Sequence, residues 1–228
     1  MSTNSAKSSS PDFIEHSPVT FSETEMKVRS ENFRILMQQR RSVREFEETP
    51  VPKNVVLNAI RTACSAPSGA NKQPWHFCLV TDPRLKKEIR IRAEEEELKS
   101  YTDRMSKEWL EDLAPLGTDH RKPFLEKAPC LVVIFKKPYD LLDDKKKHNY
   151  YVNESVGIAA GFFIAALQNA GLATLTHTPS PMNFLAEILD RPKNERAYLL
   201  LPVGYPKKGV KVPNIYRKPT QDVVTQYF

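Results

Sequence analysis

Apolar positions along the chain follow two rhythms. In ENFRILMQQRR, Phe33, Leu36 and Met37 recur at helical spacing, and PKNVVLNAIRTAC repeats that spacing with Val56, Leu57, Ile60 and Ala63. Both stretches predict amphipathic helices. Pro67 and Gly69 break the chain after the second, and WHFCLVT then predicts a strand. A long charged helix is expected to start after Pro83 and run towards Leu113. PCLVVIFKK is a short continuous apolar run between Pro129 and Lys136, the pattern of a strand buried on both faces. Val156 to Leu167, in VGIAAGFFIAALQNAG, predicts a buried helix whose Gly157, Ala160, Gly161 and Ala165 permit close approach of another helix. LATLTHT and AYLLLPVGYP predict two more strands, with a short helix near MNFLAEIL between them. Helices and strands are therefore mixed, without the regular βαβ alternation of a doubly wound fold.

Composition narrows the class. With 228 residues and 40% hydrophobic content, the chain can bury the core of one domain. Its first thirty residues hold eleven Ser or Thr and no Gly, so 1–28 reads as a flexible tail ahead of a domain over 29–228. The 34 basic and 28 acidic residues are interspersed, which argues against nucleic acid as the main partner. Cys64, Cys78 and Cys130 form no CxxC pair, so neither a disulfide framework nor a structural metal is expected, and a reducing compartment fits. The longest apolar segment falls short of the roughly 20 residues that cross a bilayer. A soluble, cytoplasmic protein is expected from the chain as given.

Several chemistries drop out. The seven glycines have neither GxGxxG nor Walker spacing, there is no HExxH, and no GxSxG supports a nucleophilic serine. Any bound phosphate must then be held by side-chain cations. QRRSVR, residues 39–44, concentrates Arg40, Arg41 and Arg44 around Ser42. Guanidinium groups offer planar forks of donors suited to phosphate, although a solvated helix end would look the same.

About twenty residues on comes SAPSGANKQPW, Ser65 to Trp75. Together with the arginine segment, with LLLPVGYP at 199–206, and with Arg217 in NIYRKP, it resembles the nitroreductase-like flavoprotein superfamily over about residues 29–220. That resemblance implies an α+β fold, a central mixed, mostly antiparallel sheet flanked by helices, in an intertwined two-fold homodimer. It also implies FMN, held by Arg40, Arg41, Ser42, Arg44, Pro67, Ser68, Thr178 and Arg217. Each flavin would lie between subunits, with the arginines from one chain and the APSGANKQPW loop from the other.

RAEEEELKSYTDRM, RKPFLEKAP and ALQNAGLATLTHTP further resemble the iodotyrosine deiodinase subgroup. The subgroup's pattern assigns substrate contacts to Glu97, Tyr101 and Lys122, with 84–128 as a lid. A free amino acid is a zwitterion, so a selective site needs one anion and one cation in reach. Glu97 and Tyr101 are four residues apart, on one helix face, and Lys122 follows a turn near Gly117. Glu97 would take the ammonium, Lys122 the carboxylate, and Tyr101 would donate a hydrogen bond. The acidic run from Glu94 to Glu97 also fits a solvated helix face. By the same resemblance, the Thr178 hydroxyl sits by the flavin N-5 and favours one-electron steps, while the Ala70 backbone N–H faces the substrate phenolate. The activity implied is reductive dehalogenation of halotyrosines, fed by an NAD(P)H-derived electron donor. The alternative is a general NAD(P)H-dependent nitro- or quinone reductase on the same fold. Animal members of the subgroup carry an N-terminal membrane segment that is absent from this chain as given.

Overall fold

The computed structural model describes residues 12–143 and 145–228. The chain divides into two compact units, residues 1–35 and 36–228. In the first lies most of helix α1 (Glu23–Gln38), whose opening turn carries Glu23 and Glu25. Its exposed side chains pair along the helix: Lys27 with Glu23, Arg29 with Glu25, and Arg34 with Glu31. Carboxylates at the N-terminal end suit the helix dipole, and the spacing of the pairs reinforces it. The expected boundary after residue 28 falls inside this helix. Glu23 to Val28 are helical, because charge pairing there needs no apolar stripe, and 1–11 lie outside the described residues.

The second unit is built on a four-stranded antiparallel sheet in the order β1 (Trp75–Val80), β2 (Cys130–Lys136), β6 (Arg196–Gly204), β5 (Ala173–Thr174). The four strands pair antiparallel throughout, so the expected mixed character is confined to an isolated parallel bridge between Ser42 and Thr174 outside them. Strand β2 shows why a continuous apolar run was needed. Cys130, Val132 and Ile134 enter a core with α2 (Lys53–Cys64) and α6 (Val152–Asn169). Leu131, Val133 and Phe135 enter a second core, on the other face, with Ile89 and Ala93 of α3 (Pro83–Lys99) and Phe184 and Leu185 of α7 (Asn183–Ile188). Gly204 ends β6 where only a glycine fits: a Cβ there would come 2.5 Å from Pro129 Cδ and 3.2 Å from Phe46.

Three expectations need adjustment. The charged helix after Pro83 does not run to Leu113. It is capped by Asp82, passes into a π-helical turn at Ser100–Arg104, and stops. Ser106 then caps a separate α4 (Lys107–Leu113), and its side-chain oxygen accepts from Trp109 N at 3.2 Å. Serine accepts such a bond better as an N-cap than inside a helix, which is why the long charged pattern divides there. LATLTHT is strand only at Ala173–Thr174, followed by a lone bridge from His177 to Leu200. A hairpin, β3 (Tyr139–Leu142) and β4 (Lys145–His148), went unread because its lysines mask any alternation. In α6, Ala160 is buried but Gly161 is exposed, with open space where a side chain would stand. No helix among the described residues is long and apolar enough to cross a membrane.

Candidate functional site

The arginine segment follows α1 as extended chain pinned at two points. Val43 and Phe46 are buried, Val43 N donates to Thr174 O at 3.4 Å, and Phe46 bridges Pro206. With those apolar side chains committed to the core, Arg40, Arg41, Ser42 and Arg44 line a cavity of about 230 Å³ with Pro213, Ile215, Tyr216 and Arg217. Arg217 is brought in from far along the chain by guanidinium bonds to Arg40 O at 3.0 Å and Gln38 O at 3.2 Å. Arg41 donates in turn to Pro213 O.

Four guanidinium groups thus converge, and among the described residues none of them is ion-paired with a carboxylate. Burial first, then the neighbouring charges of Arg217 and Arg41, pushes Arg40 below the usual arginine range. Burial does the same to Arg44, whose Nε is enclosed with no hydrogen-bond partner. Partly dehydrated, mutually repelling cations with an orphaned donor are stabilised by a multiply charged anion. The residues present therefore fit the phosphate end of FMN.

A second cavity, of about 170 Å³, shares Arg44 with the first. Glu97 enters it from the last turn of α3, Tyr101 from the π-helical turn, Lys122 from the loop before α5 (Phe124–Lys127), and His177 and Thr178 from the segment after β5. Lys122 Nζ lies 3.2 Å from Glu97 Oε2, and the two residues are only 4% and 8% exposed. Lys122 Nζ also donates to Thr118 Oγ1 at 3.2 Å and to Asp119 O. Its backbone N–H donates to Glu94 Oε1 at 2.6 Å, so α3 grips Lys122 at both ends through two carboxylates. Tyr101 donates its hydroxyl to Thr118 O at 3.2 Å. Gly117, with φ of 58°, makes the left-handed turn that returns the chain towards this helix.

His177 was not among the residues read from sequence, yet it is buried in the cavity wall beside the Glu97–Lys122 pair. Its Nε2 is buried without a hydrogen-bond partner, 4.0 Å from Glu97 Oε1, and its ring meets Phe124 edge-on at 5.8 Å. Burial, with Lys122 and then Arg44 nearby, holds the imidazole down at about 3, so it stays neutral and its contact with Glu97 is no ion pair. Its place directly before Thr178 was the available signal.

One chain does not bring every expected residue together. Pro67, Ser68 and Ala70 line neither cavity. Their loop is held elsewhere: Gly69 N donates to Ser155 Oγ at 3.3 Å, and a Cβ on Gly69 would stand 2.9 Å from Tyr150 O. Ala70, Asn71 and Gln73 adopt φ of 49°, 51° and 46°, three left-handed non-glycine residues within four positions, whose strain the surroundings must hold. Ala70 is exposed. Among the described residues, no cluster of three or more His, Cys, Asp or Glu side chains is arranged to hold a metal ion.

The family model described as "Nitroreductase family" matches residues 37–205. A protein of Haliscomenobacter hydrossis named iodotyrosine deiodinase is 54% identical over 95% of this chain and 98% of its own length. A human protein named iodotyrosine deiodinase 1 is 45% identical over 92% of this chain and 75% of its own. A crystal structure of oxidized iodotyrosine deiodinase bound to FMN and 3-iodo-L-tyrosine superposes with a TM-score of 0.73 at 31% identity, over 86% of this chain and 98% of that one. The chain belongs to the nitroreductase family, and within it groups with the iodotyrosine deiodinases.

Proposed function

We propose that the chain is an FMN-dependent reductive dehalogenase of halotyrosines, converting iodotyrosine to tyrosine and iodide. The observation that carries this reading is the buried Glu97–Lys122 pair, in a cavity joined through Arg44 to the arginine-lined one. A buried pair is weak as a stabilising device, and a hydrophobic replacement would often serve the fold as well. It makes sense as a receptor for a zwitterion. The ligand ammonium takes Glu97, its carboxylate takes Lys122, and both protein charges stay compensated as they exchange partners. Tyr101, released from Thr118 O, then has a hydroxyl to offer the carboxylate.

Arg40, Arg41, Ser42, Arg44 and Arg217 would hold the phosphate of FMN, and the Thr178 hydroxyl would donate a hydrogen bond to the flavin N-5. The chemistry that bound, reduced FMN would supply is two electrons, which with one proton would replace the carbon–iodine bond by carbon–hydrogen and release iodide. The Ala70 N–H stabilises the phenolate. Because the Ala70 loop lies apart from the arginines within one chain, the complete site is proposed to form in a homodimer, each subunit lending its loop to the other. Exposed Ile158 and Phe162 on α6, beside the open Gly161, support such an interface. The reductant is proposed to be an external NAD(P)H-derived donor, with the segment around 84–128 closing over bound substrate.

The test is turnover of FMN-loaded protein with dithionite and 3-iodotyrosine. Iodide release with formation of tyrosine is expected. Absence of both, with rapid NADPH-dependent reduction of a nitroaromatic, would replace this reading by the general reductase.

A further inference from the structure

The Ser180 carbonyl is bound by one turn of chain. Arg104 Nη1 donates to it at 2.8 Å, while Ser100 Oγ stands 3.4 Å away and gives its one proton to Glu96 O at 2.9 Å. The same Arg104 nitrogen reaches Glu96 Oε2 at 2.8 Å, and Glu96 precedes the clamp carboxylate Glu97. Both donors belong to the π-helical turn Ser100–Arg104, closed by Met105 N on Ser100 O at 2.9 Å, and that turn also carries Tyr101. Widened turns of this kind concentrate at functional sites. The segment 177–180 is therefore held at two ends. At one, His177 exchanges backbone hydrogen bonds with Leu200 of β6 at 2.9 and 3.0 Å. At the other, Arg104 holds the Ser180 carbonyl, with the Ser100 hydroxyl beside it. Thr178 lies between these anchors and is exposed.

We infer that Arg104 is a positioning residue, coupling occupancy of the amino-acid cavity to the placement of Thr178 through the Ser180 carbonyl. The inference rests on the function proposed above. A ligand that draws Glu97 from Lys122 and Tyr101 from Thr118 displaces the π-helical turn. That turn carries one anchor of the Thr178 segment, while the sheet keeps the other in place. The Thr178 hydroxyl is then set for the flavin only when a zwitterion is bound. Arg104 itself is half-exposed, so its ion pair with Glu96 adds little to stability, and its replacement should leave the fold intact.

The experiment uses FMN-loaded protein, wild type, Arg104→Ala and Arg104→Lys, with 3-iodotyrosine added to the oxidised form so that no turnover occurs. Hydrogen exchange is read at amides in 97–105 and 176–182, and then iodide release and nitroaromatic reduction are measured. The wild type should slow exchange in both segments on binding. Arg104→Ala should slow it in 97–105 alone and lose about tenfold in iodide release, with nitroaromatic reduction unchanged. Arg104→Lys should restore part of the loss. Slowing in both segments in Arg104→Ala, with an unaltered ratio of the two activities, overturns the inference. Failure of the wild type to bind 3-iodotyrosine would overturn the proposed substrate instead. Exchange at 176–182 without ligand then decides the inference, which requires Arg104→Ala to be faster than wild type there and fails if the two are equal.

Discussion

Glu97 and Lys122 neutralise one another across 3.2 Å, although 25 positions of sequence separate them. Their pairing gives the first prediction. Glu97→Gln or Lys122→Gln should weaken binding of 3-iodotyrosine by about a hundredfold, consistent with losing a charge-assisted contact and leaving its partner uncompensated. An iodophenol, which lacks the charged groups, should scarcely notice. Removing one member of a buried pair should also cost about 3 kcal/mol of stability, and the double variant should cost less than the sum. Parallel titrations of the two ligands, followed by flavin fluorescence, check the first point, and denaturant unfolding checks the second. Equal loss for both ligands would show that these residues serve the fold alone.

Retention of FMN is expected to follow the arginines. Arg40→Ala or Arg217→Ala should weaken FMN binding by about 1.5 to 3 kcal/mol each, the worth of a well-formed charge-assisted contact. Arg217 also tethers the C-terminal tail to Arg40 O and Gln38 O, so its removal should in addition make residues 213–217 more susceptible to proteolysis. Equilibrium dialysis with free FMN, alongside limited proteolysis, reads the two effects separately.

How much of this was legible in the chain depends on what each residue's neighbours are. Val132 and Leu131 sit in one apolar run, and two-sided burial of β2 follows from the run itself. Arg40, Arg41 and Arg44 are adjacent in sequence, so their cluster was visible before any fold. Arg217 and Lys122 were placed only by resemblance, because long-range pairing leaves no periodic trace. The break of the charged helix at Ser100–Arg104 was invisible to periodicity, since a π-helical turn adds one residue without changing composition. His177 went unread for a similar reason: a lone histidine in a strand-like pattern carries no periodic mark of its enclosure between Glu97, Lys122 and Phe124, and only its place before Thr178 pointed to it.

That enclosure has a pH signature. His177 is held neutral down to about 3 in the folded chain, against an ordinary value of 6.5. Below 6.5 the unfolded chain binds a proton that the folded one refuses, so stability falls as pH drops from 6.5 towards 3. The linkage amounts to about 2 kcal/mol between pH 7 and pH 5. His177→Gln should shrink the stability difference between those two pH values by about that amount, as read from urea unfolding at each. An unchanged difference would mean that the acid sensitivity arises elsewhere.

Thr178 separates the two chemistries available to the fold. If its hydroxyl bonds the flavin and favours one-electron steps, Thr178→Ala should depress iodide release by about tenfold or more. Two-electron reduction of nitroaromatics should suffer less, so the ratio of the two rates should fall. Thr178→Ser should keep most of the wild-type ratio. A proportional loss of both activities in Thr178→Ala would assign the residue to the turn before Pro179.

A single anaerobic turnover tests reductive deiodination by this chain most directly. FMN-loaded protein, reduced with one equivalent of dithionite and freed of excess reductant, is mixed with 3-iodotyrosine, and flavin absorbance, iodide and tyrosine are followed together. Reoxidation of each flavin with release of about one iodide and one tyrosine is the predicted result, since one two-electron reduction breaks one carbon–iodine bond. Flavin that stays reduced, or that reoxidises without iodide, would contradict it.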